Sequence, residues 1–343
     1  MSHAAFSRRH WLAASSGLLA AAALRSPNAC AQVVAGPAEP AAEPDGGDSS
    51  APTYGEAKSF DWQFGMKLST PVTFTAGLGT FPIPMDWPEQ TVTLASRDVS
   101  GPVTQLQTRD LQGGARQAVV GIARMTAHQS LDVLLNVRID KRNIIAPTQT
   151  DSLVIPKRVP REMRAYLGNS PMIDATHGKI RLLSRELAAE AVDDTSAWQT
   201  VRRIYDRVRE QVTYTEGPIR NASDALQDGK GDCEDMTSLF VALCRNANIP
   251  ARMVWIPGHC YPEFYLEEQA GGEASGHWYP CQAAGTEQFG EMQEDRPILQ
   301  KGDRFKIPEQ RQIVRYVSEY FRCDRSGQAS PSVKFVSEMQ HSD

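Results

Sequence analysis

The residues whose types and spacing could do chemistry begin at a glycine-rich turn, Asp228-Gly229-Lys230-Gly231-Asp232, that runs directly into Cys233-Glu234-Asp235-Met236. Beyond it, apolar residues at 236, 240, 243, 244 and 247 share one helical stripe, so Cys233 stands at the N-terminal end of a helix. A thiol there faces unpaired backbone N–H groups and the positive end of the helix dipole, which favour thiolate and can also hold an oxyanion. Glu234 and Asp235 oppose the same ionisation as like charges, so the nucleophile needs a basic partner. Two β-like runs downstream offer one: Gly258-His259-Cys260-Tyr261-Pro262-Glu263-Phe264-Tyr265-Leu266 and His277-Trp278-Tyr279-Pro280-Cys281-Gln282. Strand alternation puts His259 on one face with Tyr261, Glu263 and Tyr265, and turns Cys260 to the other. A His259 that faces the helix would serve as base to Cys233, with Gln282 accepting the second imidazole N–H and fixing the tautomer. The chemistry of such a set is acyl transfer through a thioester, which needs no cofactor and no metal.

The neighbouring residues read more plainly. Tyr214, in Val212-Thr213-Tyr214 ahead of the glycine-rich turn, is a candidate to line the substrate, as are Asp232, His277 and Trp278. Cys244 falls on the core stripe of the helix as a packed thiol. Cys260 and Cys281 each adjoin a site residue and share the reverse face of the sheet, either as two packed thiols, the simpler reading, or as a disulfide. A zinc site built from His259, Cys260, His277 and Cys281 is disfavoured, because adjacent strand residues point to opposite faces. Cys323 has no assigned place.

Positioning these residues takes helices and strands that the rest of the chain supplies. Segments from Gly178 to Ala191 and from Thr195 to Val212 have helical periods, the second with Trp198, Val201, Ile204, Tyr205 and Val208 on one face. Upstream, Phe60, Trp62, Phe64, Met66 and Leu68 alternate with polar residues, as do Leu131, Val133, Leu135, Val137 and Ile139, so each run is a strand with one wet face. Shorter candidates at 72–76, 91–96 and 118–123, separated by turn signals, complete an antiparallel sandwich that ends near Ile155. Downstream of the site, 297–303 and 312–320 are expected to close the sheet, and Val333-Lys334-Phe335-Val336 offers a last strand within a mostly polar tail.

Composition sets the outer limits. With 343 residues, 41% hydrophobic and 22% charged, the chain can bury one or two ordinary cores, which excludes disorder and collagen-like repeats. The formal charge is −5; residues 1–31 carry three arginines and no acid, so the remainder carries −8, a poor balance for gripping nucleic acid or anionic lipid. Ser7-Arg8-Arg9-His10-Trp11-Leu12, an apolar stretch to Leu24 and Ala29-Cys30-Ala31 describe a twin-arginine-type export signal cleaved after Ala31, too short for a stable membrane span. That predicts a periplasmic or secreted protein. Residues 32–57, rich in Ala, Pro, Gly and Ser, read as a disordered linker.

Taken together, Gly231-Asp232-Cys233, Asn248-Ile249-Pro250-Ala251-Arg252, His259-Cys260-Tyr261-Pro262-Glu263-Phe264-Tyr265 and Trp278-Tyr279-Pro280-Cys281-Gln282 resemble the transglutaminase-like superfamily, whose site geometry is related to papain-type cysteine hydrolases. The resemblance covers roughly residues 195–325. It implies a papain-like helix-plus-antiparallel-sheet domain at 161–325, which with the antiparallel β-sandwich-like domain read from the alternation at 58–160 and a polar tail at 326–343 gives an α+β fold. It also implies a catalytic Cys233 and His259 acting on peptide or carboxamide bonds of a peptide or protein substrate, with hydrolysis favoured over cross-linking because water is the default acceptor. One position departs from the pattern: the family usually has Asp where this chain has Gln282. A neutral amide orients an imidazole without stabilising imidazolium by charge. The alternative reading is therefore a binding or scaffold module that keeps the fold with little or no turnover. The substrate, the acyl acceptor and the oligomeric state stay open at this point.

Overall fold

The alternating segments pair as their period of two requires. The computed structural model describes residues 49–191, 196–268 and 275–340; the segment at 1–31 expected to be an export signal and most of the expected linker lie outside the described residues. The first strands are β1 (Thr53–Ser69), β2 (Phe74–Ile83), β3 (Gln90–Ser100), β4 (Gln105–Leu111), β5 (Ala115–Met125) and β6 (Ser130–Ile145). Then come α1 (Gly178–Ala189), α2 (Ala197–Gln211), α3 (Ala222–Asp228) and α4 (Cys233–Asn246). The chain returns to strands with β7 (Ala251–Ile256), β8 (His259–Glu268), β9 (Ser275–Pro280), β10 (Gln300–Lys301), β11 (Tyr320–Arg325) and β12 (Ser332–Gln340).

One sheet has the order β12-β1-β6-β3, and a second, of nine strands, runs β9-β8-β7-β10-β5-β2-β11 with β4 paired to β5 and Leu153–Val154 paired to β8. The named neighbours are antiparallel. Trp62, Phe64, Met66 and Leu68 of β1, with the odd positions 131–139 of β6, pack against β2 and β5 as a sandwich core. The fold is thus α+β, with a β-sandwich leading into a layer of helices on a sheet.

Three differences from the sequence reading have local causes. β1 begins at Thr53, inside the expected linker, because Tyr54 packs with Ile144 and Val254 and Tyr279 donates its hydroxyl to the Ser50 carbonyl at 2.7 Å. The last strand offered at 333–336 is longer than its apolar residues suggest: β12 pairs with β1 from Asp61↔Gln340 to Ser69↔Ser332 and buries Val336. Strand β4 is polar along most of its length and carries no alternation to reveal it.

The sheet does not stop at residue 160. β10 pairs with β7 (Val254↔Lys301, Trp255↔Gln300) and also with β5 (Gln300↔Ala115), so one sheet runs from the sandwich into the strands that carry His259. Beside this strap, Lys301 Nζ bonds Glu89 at 2.6 Å and Glu263 at 2.5 Å, all three being almost fully buried. Glu263 also pairs with Arg252 at 2.8 Å, and the Arg252 guanidinium lies 3.9 Å from the Trp278 ring centroid. Taking such charges out of water is costly, and they persist only because each has a partner.

Helix α4 packs on the other face of β7 and β8, with residues 235–245 all buried. The burial is wider than one stripe because α1, α2 and α3 cover its second side. Even Arg245 is enclosed, held by Asp303 at 2.7 Å and by the Ala251 carbonyl. Trp198 of α2 meets Phe264, Tyr279 and Phe289 edge-on, with centroids 5.6, 5.3 and 5.0 Å away, which fastens the helical layer to the sheet.

Candidate active site

Cys233 is the first residue of α4, and the turn before it is built to deliver it there. Thr213–Tyr214 and Lys230–Gly231 pair as short parallel strands, which fixes the approach of the chain. Gly231 has no substitute at this point: a Cβ would stand 2.6 Å from the Asp235 Cβ. Asp232 is the N-cap, accepting from the N–H groups of Glu234 (2.9 Å) and Asp235 (3.1 Å), while the Asp235 carboxylate reaches back to the Asp232 N–H. This reciprocal box satisfies the helix end. It also explains Asp232 as a capping residue, whose pKa burial raises, rather than as a substrate contact.

The two acids that oppose ionisation of Cys233 are themselves answered. Asp235 is fully buried, paired with Arg220 Nε at 3.3 Å and bonded by the Arg220 N–H at 3.0 Å. Glu234 lies 3.5 Å from Arg315. Sequence reasoning missed both arginines, because nothing in local spacing links positions 15 and 81 residues apart.

His259 is the first residue of β8, just after the Pro257-Gly258 turn, where Gly258 takes φ +72°. Its Nε2 donates to Gln282 Oε1 at 2.9 Å, leaving Nδ1 as the nitrogen to pair with the Cys233 thiol. Gln282 is anchored in turn: its N–H bonds the Gln288 carbonyl at 2.8 Å, and its own carbonyl accepts from Arg209 of α2 at 3.0 Å. Cys233, His259 and Gln282 therefore converge as a linear relay.

Cys260 departs from the expected arrangement. It does lie on the α4 face of the sheet, opposite Glu263, but that face is the one that carries Cys233. It lies in the core cluster against which Cys233 packs. His259, the first residue after a turn, stands at the end of the strand and can approach the Cys233 thiol from there rather than across the sheet face. Cys260 and Cys281 are free thiols, as are Cys233, Cys244 and Cys323.

These contacts set the charge state. The hydrogen bond from Cys260, followed by the bond and positive charge of His259, hold the Cys233 thiol at about 4, against the burial that raises it. Burial pulls His259 down, and the bond and negative charge of Cys233 together with the bond to Gln282 outweigh it, so its pKa is raised. Both shifts favour the thiolate–imidazolium pair over the neutral one. Cys260 is pushed well above an ordinary thiol, by burial first and by the neighbouring thiolate second.

Of the candidates to line the substrate, Tyr214 pairs with Gly231 and stands half-exposed beside the approach to Cys233. His277 and Trp278 are not at the thiol. His277 lies opposite Leu266, seven residues along β8 from His259, which at about 3.3 Å per residue is roughly 23 Å. Trp278 stacks on Arg252 on the sheet face away from α4. The cause is register: β9 pairs with β8 only from Glu263↔Pro280 onward, so residues before 280 run away from His259 while Gln282, past the strand end, returns to it.

The sequence from 183 to 283, which contains all three residues of the relay, matches the transglutaminase-like superfamily. No curated protein matches the chain. Among solved structures, a protein of Cytophaga hutchinsonii provisionally named a cysteine protease superposes with a TM-score of 0.55 at 16% identity, over 85% of this chain and 94% of that one. A provisionally named protease of Parabacteroides distasonis aligns at 12% identity over 68% of this chain and 48% of the other, with a TM-score of 0.23 that carries no argument. The chain contains a transglutaminase-like domain, and the first of these structures shares its fold.

Proposed function

We propose that the protein is a cysteine-dependent acyl-transfer enzyme that cleaves peptide or carboxamide bonds, with Cys233 as nucleophile, His259 as acid and base, and Gln282 orienting the imidazole. The observation that carries this reading is the Cys233 thiol at the first residue of α4 with His259, bonded to Gln282 at 2.9 Å, as its basic partner. The thiolate attacks the carbonyl carbon and the carbonyl oxygen takes the negative charge. The cap uses the N–H groups of Glu234 and Asp235, so the Cys233 N–H is the one available to that oxyanion. Collapse expels the amine, which takes its proton from His259, and leaves a thioester on Cys233. Water then adds to the thioester as His259 accepts its proton, and the acid leaves as the thiolate re-forms. A primary amine in place of water would give transamidation by the same steps; hydrolysis is the default. The residues at 1–31 read as an export signal, so the substrate we propose is a peptide or protein outside the cytoplasm.

The test is turnover of a panel of peptides and glutamine-amide substrates by the mature protein, with Cys233→Ala as control. Release of acid or amine that vanishes in Cys233→Ala and falls at least a hundredfold in His259→Ala supports the assignment. No turnover, with iodoacetamide labelling Cys233 equally in wild type and His259→Ala, favours the binding module instead.

A further inference from the structure

Gln282 holds the imidazole of His259, yet no strand holds Gln282: β9 ends at Pro280, and beyond it stands the single bridge Cys281↔Phe289. The turn at 282–288 is instead bound by one face of α2, on which Tyr205 and Arg209 lie one helical turn apart. Arg209 Nη1 donates to the carbonyls of Gln282 at 3.0 Å and Ala283 at 3.4 Å, and Nη2 donates to the Gly285 carbonyl at 3.0 Å. Gly285 takes φ +100°, a conformation open to glycine, as the chain reverses. At the other end of the turn, the Tyr205 hydroxyl accepts the Gln288 N–H at 3.2 Å, and the Gln288 carbonyl accepts the Gln282 N–H at 2.8 Å. The Arg209 guanidinium lies 5.4 Å from the Tyr205 ring centroid, so the two side chains brace one another. Among the described residues, the hydrogen-bond partners of Arg209 are these three carbonyls, with no carboxylate among them.

We propose that Arg209 is a positioning residue for the reaction: by gathering three carbonyls of the turn it fixes the backbone of Gln282, and through it the Oε1 atom that accepts from His259 Nε2. The proposal rests on the reading of His259 as acid and base. A guanidinium supplies several N–H groups in one rigid plane, which suits a fan of carbonyls, whereas an ammonium is a point charge on a flexible stem. Bonds from a charged donor are also stronger than neutral ones. The precision matters because the third member is an amide. A carboxylate would attract the imidazolium over a range of distances, but an amide holds the ring only while the hydrogen bond keeps its length and angle. Displacing a group of the relay by about 1 Å is enough to cost a rate factor of up to about 100. The clasp on α2 thus supplies by geometry what the amide does not supply by charge.

The experiment is a double-mutant cycle in the full mature chain, Arg209→Met with Gln282→Ala. It is read by turnover of the peptide and glutamine-amide panel and by the nuclear magnetic resonance signal of the His259 Nε2–H proton, assigned with His259→Ala. Arg209→Met keeps the aliphatic stem over Tyr205 and removes the donors. It should lower kcat roughly tenfold with KM changed by less than about twofold, and should speed exchange of the Nε2–H proton with water about tenfold, as Gln282→Ala does. In the Gln282→Ala background the same change should lower kcat by less than about twofold, because the group it positions is gone. Arg209→Lys should fall between Arg209→Met and the wild type. Where Arg209→Met does not fold, Tyr205→Phe, which deletes only the acceptor of the Gln288 N–H, should move both readings in the same direction by a smaller factor. A packing role alone would lower thermal stability and leave the ring proton in place. Equal losses of kcat in the two backgrounds, or an unchanged ring proton in the folded variant, overturn the assignment. Faster proton exchange with no turnover even in the wild type keeps the clasp and rejects the enzyme, whereas turnover with an unchanged proton rejects the clasp alone.

Discussion

Replacing Gln282 with glutamate tests whether the relay is wired as its geometry indicates. Gln282→Glu keeps the length of the side chain, so a carboxylate oxygen would take the place of Oε1, 2.9 Å from His259 Nε2. With charge centres about 4 Å apart and an effective dielectric near 20, the attraction is about 4 kcal/mol, equivalent to about three pH units. Holding a second anion in a half-buried site offsets part of that, which leaves a net rise in the His259 pKa of about one to two units. The direct assay is a pH titration of the imidazole carbon signals by nuclear magnetic resonance, with His259→Ala to assign the peak. The alkaline limb of the turnover profile should move up by the same amount, because imidazolium is the acid that protonates the leaving amine. Gln282→Asp is shorter by one bond, about 1.5 Å, and should produce a smaller rise. A His259 signal that titrates at the same pH or lower in Gln282→Glu would refute the reasoning, since a new carboxylate in contact with Nε2 must stabilise the charged ring.

Asp232→Asn should hold stability within a few tenths of a kcal/mol, because Asn and Asp cap equally well, and should lower the midpoint for Cys233 alkylation, because the anion whose pKa is raised in part by Cys233 is removed. Lys301→Met leaves Glu89 buried without its partner and Glu263 with Arg252 alone, and a urea titration should show a loss of about 3–5 kcal/mol. Burial raises Glu263, and Lys301 and then Arg252 outweigh it, so its carboxylate is held below the ordinary 4.5. Its contribution is therefore complete above about pH 4.5 and disappears as pH falls through the lower, folded value, so wild type and Lys301→Met should converge in acid. His277→Ala should leave the Cys233 alkylation profile unchanged, given the roughly 23 Å between residue 277 and His259 along the strand.

Periodicity made much of this molecule legible. The alternation at 60–68 and 131–139 became the two strands at the heart of the first sheet, and the helical periods became α1 and α2, with ends shifted by a few residues. The thiol at a helix start and the histidine of the following hairpin were visible because type and spacing are local facts. What escaped was of two kinds. Arg220 and Arg315, which neutralise Asp235 and Glu234, and the meeting of Glu89, Glu263 and Lys301 arise from tertiary contact between distant segments. The second kind is the limit of alternation itself. Adjacent residues do point to opposite faces within a strand, but alternation alone does not say which face meets α4, and it is Cys260 that lies in the core beneath the helix. His277 and Trp278, candidates to line the substrate, stand away from the thiol because the direction in which β9 runs is set by its register on β8.

The two-residue strap Gln300–Lys301 has a further meaning for how the protein can be divided. Cut at residue 160, the C-terminal part would keep Cys233, His259 and Gln282 but lose Ala115 as strand partner and Glu89 as ion partner. A row of unpaired backbone groups would be bared beside a lysine stripped of half its counter-charge, which is the kind of open edge on which chains join one another. The sandwich is in that sense the cover of the sheet that carries His259, and expression of residues 161–343 alone should give aggregate where the whole chain gives a folded protein.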